Sequence, residues 1–143
     1  MTLGEAIAAA KASGDYAPIA AAMPYMRFLA ITARQGEFGL TCVLPAERRF
    51  VGNPLLPALH GGVVAGLMES AAILQLLATA DIAHAPKLID IAVDYLRPAR
   101  VAETFARATV TRQGRRVANV GVEAWQDDRA RPVAAARVHF LLT

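Results

Sequence analysis

The apolar positions fall into three regimes. From Thr2 to about Ser13 they recur among alanines, with Thr2 placed as an N-cap and Gly14 as a stop, which predicts a short helix. A further helical turn or two is expected around Pro18–Met23. From Val63 to Ala80 the chain is apolar almost without interruption. The third regime is alternation. It predicts strands over Arg27–Arg34 and Glu37–Leu44, with Gln35 and Gly36 near the turn, and then over Leu88–Leu96, Thr104–Arg112, Arg116–Gln126 and Pro132–Leu142. Between the first two strands and the long apolar stretch, Arg49–Leu59 reads as a loop rich in Gly and Pro.

The stretch that opens at His60-Gly61-Gly62 predicts a helix over Gly61–Ala80, roughly 30 Å long at 1.5 Å per residue. It approaches the length of a membrane span. Glu69, Ser70 and Gln75 lie inside it, and an ionised group in a bilayer is costly. A buried helix of a soluble protein fits better, and no membrane partner is expected. An all-round apolar helix needs something to surround it. A strongly curved antiparallel sheet of about six strands does so, which makes the class α+β. The short links at Arg97–Val101, Gln113–Arg115 and Asp127–Arg131 favour antiparallel neighbours.

At 143 residues the chain suits one domain, residues 1–143. Its 55% hydrophobic residues, against only 19% charged, exceed what so small an interior readily absorbs, which points to burial between subunits. The net charge of +3 is not gathered into a basic run, so no nucleic-acid partner is expected. The single cysteine, Cys42, excludes an intrachain disulfide and reads as a buried, inert thiol. Together with the lack of a basic n-region near Glu5, this leads to the expectation of a cytoplasmic protein.

The chemistry concentrates in Gly52–Ser70, GNPLLPALHGGVVAGLMES. Burial raises a carboxyl pKa, so Glu69 in an apolar helix is either a structural partner of a cation or a desolvated base or nucleophile. A helix N-terminus offers free N–H groups and partial positive charge, and Gly61 and Gly62 permit close approach. That combination suits an oxyanion site, although His60-Gly-Gly also reads as a tight turn with His60 as the cap. Asn53 can orient water or substrate, or simply make a turn. Gly61 and Glu69 are eight residues apart, about 12 Å along one helix, too far to meet at one carbon. A site shared across a two-fold interface resolves this. His60, His84 and His139 have no metal-ligand spacing, so no metal is expected. There is no P-loop, GxGxxG or GxSxG motif.

The segment LHGGVVAGLMES resembles the HGG-x6-[DE] signature of PaaI-like hotdog-fold acyl-CoA thioesterases, and GNPLLPALHGG and DIAVDYLRPAR resemble the same group. The element order matches over nearly the whole chain. The resemblance implies a hotdog fold, with a curved sheet wrapped around one long central helix after a short N-terminal helical segment. It implies Glu69 as base or nucleophile, the Gly61 N–H polarising the thioester carbonyl, and His60 setting up the helix start. The family's water- or substrate-holding Asn or Gln stands about six residues before the His. Here Pro54 occupies that position, and Asn53, seven before, is the residue on offer. Arg97, Arg100, Arg115 and Arg116 are the implied contacts to the phosphates of CoA, with Gly62 beside the substrate. No cofactor is implied beyond CoA as part of the substrate. A homodimer, or a dimer of dimers giving a homotetramer, is implied as the assembly.

The expected function is hydrolysis of an acyl-CoA thioester. Two alternatives remain: a hotdog hydratase or dehydratase on acyl thioesters, and a non-catalytic acyl-CoA-binding protein. Val64, Leu67 and Ile73 are expected to line an acyl pocket that tolerates medium-chain or aryl groups.

Overall fold

The computed structural model describes residues 2–36 and 39–143. Helix α1, Leu3–Ser13, begins with a reciprocal cap: Thr2 Oγ1 accepts the Glu5 N–H and Glu5 Oε2 accepts the Thr2 N–H, both at 3.1 Å. It ends where Gly14 adopts φ 78° and donates its N–H to Ala10 O at 2.7 Å. Helices α2, Ala17–Ala22, and α3, Pro24–Phe28, follow, each with a proline in its first two positions.

Helix α3 corrects the first expected strand. Arg27 and Phe28 are helical, Ala30 turns the chain at φ 56°, and the Ile31 N–H bonds Met26 O at 2.9 Å. Only then does β1, Thr32–Gly36, begin. It pairs with β2, Gly39–Leu44, in a register that sets Gly36 opposite Gly39. Glu37 and Phe38, expected in the second strand, lie outside the described residues.

After a 3₁₀ turn at Arg48–Phe50 comes helix α4, Gly61–Thr79, one residue shorter than expected. Strands β3, Lys87–Tyr95; β4, Thr104–Gln113; β5, Val117–Trp125; and β6, Ala134–Leu141 complete one antiparallel sheet in the order β1-β2-β4-β5-β6-β3. The links from β4 to β5 and from β5 to β6 join neighbours, as expected. The link over Arg97–Val101 does not: β3 pairs with β6 at the far edge. That link is held instead against the loop before α4, where the Leu59 N–H bonds Ala99 O at 2.8 Å and Ala58 bridges Arg100.

The sheet curves around α4. Inward positions of β4, β5 and β6 alternate strictly, and many are alanine: Ala106 and Ala108, Ala118 and Ala124, Ala134 and Ala136. Against them pack Leu67, Met68, Leu74, Leu76 and Leu77 of the helix, together with Val120, Val138 and Phe140, all fully buried or nearly so. Truncating one such leucine to alanine costs about 2–5 kcal/mol. Helix α4 has the length and hydropathy of a membrane span, yet most of it is buried inside this sheet. Gly62, Ala65, Glu69 and Ile73 follow the i, i+3, i+4 spacing of one stripe. Gly62 is exposed and Ala65 and Glu69 are half-buried, so the chain's own sheet does not cover this side.

Candidate active site

The first turn of α4 is fixed from both sides. His60 is the N-cap, and its Nδ1 accepts the Gly62 N–H at 2.8 Å. An accepting Nδ1 carries no proton, so the imidazole N–H of this arrangement is on Nε2. The His60 backbone N–H bonds Phe50 O at 2.8 Å, and His60 O receives the N–H groups of Val63 and Val64. The Gly61 carbonyl receives the Tyr95 hydroxyl at 2.8 Å. The peptide between Gly61 and Gly62 is thus held at its oxygen by Tyr95 and at its nitrogen by His60. The Gly61 N–H has no acceptor among the described residues. Of the two glycines, Gly61 presents the free donor and Gly62 does not.

Sterics add to this. A methyl group on Gly61 would sit 3.1 Å from the Tyr95 ring, and one on Gly62 2.9 Å from His60 Nδ1. The His60 ring also fills the space beside Gly52. Beside Gly61, a cavity of about 410 Å³ opens between Tyr95, Leu96, Arg97, Val64 and Val133.

Glu69 lies two turns further along α4. Burial pushes its carboxyl pKa up from the ordinary value. No ion pair or hydrogen bond reaches its side chain among the described residues. The alternative of a structural carboxylate paired with an arginine therefore has no partner there.

The remaining predicted residues are scattered. Asn53 is exposed and its Oδ1 accepts the Leu55 N–H at 3.0 Å, the geometry of a turn. Arg97 Nη1 donates to Pro132 O at 2.7 Å, and Arg100 pairs with Asp127. Both stand at the end of the sheet near Gly61. Arg100 also lines a cavity of about 580 Å³ with Arg48, Val51, Pro54 and Pro57. Arg115 and Arg116 belong to the β4–β5 turn at the opposite end, about 30 Å away for a nine-residue strand. Within one protomer the two arginine pairs do not converge. Of the expected acyl lining, Leu67 and Ile73 are 0% and 9% exposed and belong to the core, whereas Val64 lines the cavity beside Gly61.

Three residues near the site were not foreseen. Tyr95 lies 34 positions from Gly61. Tyr25 and Phe28 of α3 stack at 6.4 Å and remain 52% and 65% exposed. The Tyr25 hydroxyl abuts Gly66, one turn before Glu69. Pro24, which starts α3, was the one local signal for the aromatic pair.

The thioesterase superfamily model matches residues 56–133, which span the helix start, Glu69 and all of β3, β4 and β5. The chain belongs to the thioesterase superfamily. This thioester hydrolase is 44% identical to a Chromobacterium violaceum protein of known structure, with 97% of each chain covered and a TM-score of 0.77. Thioesterase superfamily member 2 from Mus musculus shares its fold at 23% identity, with 89% of this chain and 94% of that one covered and a TM-score of 0.74. A Bacillus halodurans protein solved with CoA does so at 21% identity, with 99% and 91% covered and a TM-score of 0.74. No curated protein matches the chain. The fold is the hotdog, and PaaI-like thioesterases are the group that the HGG segment resembles.

Proposed function

We propose that this thioester hydrolase acts on acyl-CoA, with Glu69 as its base or nucleophile and the Gly61 N–H polarising the thioester carbonyl. The observation that carries the reading is the division of polar groups along α4. Gly61 keeps a free N–H on a peptide pinned by His60 and Tyr95, and Glu69 keeps a desolvated carboxylate with no partner among the described residues. The donor stabilises the oxyanion that forms when the carbonyl is attacked. The carboxylate either takes a proton from water or attacks the carbon itself. His60 and Tyr95 act as positioning residues, and Asn53 holds the preceding loop in its turn.

The active assembly is a homodimer whose copies pair through the β3 edge. Among the described residues that edge has no neighbouring strand, and it exposes Leu88, Ile89, Tyr95 and Leu96 at 40%, 53%, 56% and 51%. Antiparallel pairing across a two-fold axis sets Glu69 of one copy towards Gly61 of the other. It also reverses the second sheet, so that Arg115 and Arg116 of that copy join the end carrying Arg97 and Arg100. A phosphorylated CoA tail suits such a group of guanidinium forks. Tyr25 and Phe28 offer an apolar acyl group a wall near Glu69.

The test is CoA release from a panel of aliphatic and aromatic acyl-CoAs by wild type and Glu69→Gln. Turnover by wild type and a loss of about 10³-fold in the folded variant is the expected result. Equal rates for the two would remove Glu69 from the chemistry, and hydration of an enoyl-CoA without CoA release would favour the hydratase.

A further inference from the structure

We infer that the seam between β2 and β4 is a second binding site, for a small amphiphilic oxyanion, separate from Glu69. Strands β2 and β4 pair only from Cys42 opposite Ala106 to Leu44 opposite Thr104. Beyond Cys42 they separate, and a cavity of about 560 Å³ opens between them. Its lining comes from both sides of the sheet. Leu40, Ala108 and Val110 are inward-facing residues, Gln75 and Thr79 belong to α4, and Arg107 and Arg129 stand at the outer rim.

The rim is electropositive for a physical reason. Arg107 stands opposite Glu123 in the β4–β5 register, yet no ion pair joins them. Its Nη2 instead donates to Thr41 Oγ1 at 2.8 Å, across the open seam, and its Nε is buried without a partner. Arg129 lies 5.2 Å and Arg107 6.0 Å from the centre of the Trp125 ring, so the two cations flank one indole. Among the described residues neither guanidinium has a carboxylate partner: Asp127 pairs with Arg100, and Asp128 Oδ1 accepts the Ala130 N–H. Burial and the neighbouring Arg129 both disfavour the charge on Arg107. A bound oxyanion would relieve that repulsion, and carboxylate or phosphate matches the Nη groups of the two guanidinium forks. Leu40, Ala108 and Val110 then receive the apolar body.

The site is distinct from the proposed chemistry. Gln75 is six residues beyond Glu69, about 120° around the helix and 9 Å along it. The inference therefore stands without the acyl-CoA reading.

Trp125 is the only tryptophan, so its fluorescence reports on this rim directly. We would titrate the full chain with hexanoate, hexyl phosphate, inorganic phosphate and hexanol, and confirm heats by calorimetry. Saturable binding of hexanoate, hexyl phosphate or both is expected, at least tenfold tighter than inorganic phosphate or hexanol. Which head binds more tightly separates carboxylate from phosphate. Arg107→Gln and Arg129→Gln, each checked for fold by circular dichroism, should weaken calorimetric binding at least tenfold, whereas Glu69→Gln should leave it unchanged. Absence of saturable binding to wild type would overturn the inference. So would equal binding of hexanol, equal binding of inorganic phosphate, unaltered affinity in both arginine variants, or loss of binding in Glu69→Gln.

Discussion

The two ends of the proposed chemistry lie on one helix and are built in opposite ways. At the start of α4, the polar atoms around Gly61 are fixed: His60 Nδ1 takes the Gly62 N–H and the Tyr95 hydroxyl reaches the Gly61 carbonyl, leaving one N–H free. Two turns on, Glu69 is half-buried on an apolar helix and has no partner among the described residues. The contrast separates two tasks. A donor that stabilises transient charge works best when it is immobile. A carboxylate that moves protons works best when it is not tied to a cation that lowers its pKa.

The loss of about 10³-fold in Glu69→Gln is the largest effect expected and breaks the comparison at its reactive end. The wild-type pH profile sharpens it. Activity should fall as pH drops through the Glu69 pKa, at a pH above the ordinary carboxylate value because burial raises it. Tyr95→Phe tests the fixed end. It keeps the ring against Gly61 and removes one hydrogen bond worth about 1 kcal/mol. We expect kcat to fall about fivefold to tenfold with KM changed less than twofold, and a rise in KM alone would contradict a positioning role.

Smaller effects fall on stability. A carboxyl whose folded pKa is raised binds its proton more tightly in the folded state, so the folded state is favoured below the ordinary value and loses that advantage as pH rises through the raised one. Glu69→Gln removes the burial penalty of the anion. It should therefore raise Tm at pH 8, by roughly 4 °C for each kcal/mol relieved, and the gain should vanish below pH 4.5, the ordinary value. Thermal melts of both proteins at pH 4 and pH 8 check this. Cys42 is a control. Burial pushes its thiol up to about 12, so iodoacetamide should label it only after unfolding and leave activity unchanged.

Local signals carried most of the fold. Thr2 with Glu5, and Gly14, bounded α1; His60-Gly-Gly opened α4; strict alternation marked β4, β5 and β6. What failed was either too short or non-local. Helix α3 spans five residues, too few to show a helical period, so Arg27 and Phe28 read as strand. The alternation of LIDIAVDYL identified β3 but not its place, because the chain crosses to the edge beside β6 rather than turning back onto β4. Within the site, Gly61, His60 and Glu69 were legible because a helix start and a charge in an apolar run are local features. Tyr95 was not, since its hydroxyl reaches Gly61 only through the packing of β3 beside α4. The arginine pairs were chosen by residue type alone, and their separation to opposite ends of the sheet follows from strand direction, which a single sequence does not display.

The central claim is that the fixed donor of one copy serves the free carboxylate of another. Mixing inactive Gly61→Ala and Glu69→Gln chains, unfolding them and refolding them together tests it most directly. Random pairing makes half of the dimers mixed, and each mixed dimer carries one intact composite site, so about one quarter of wild-type activity should return. Recovery near that level is the predicted result. No recovery, with mixed dimers confirmed by mass, would show that donor and carboxylate act within one chain and would contradict the account.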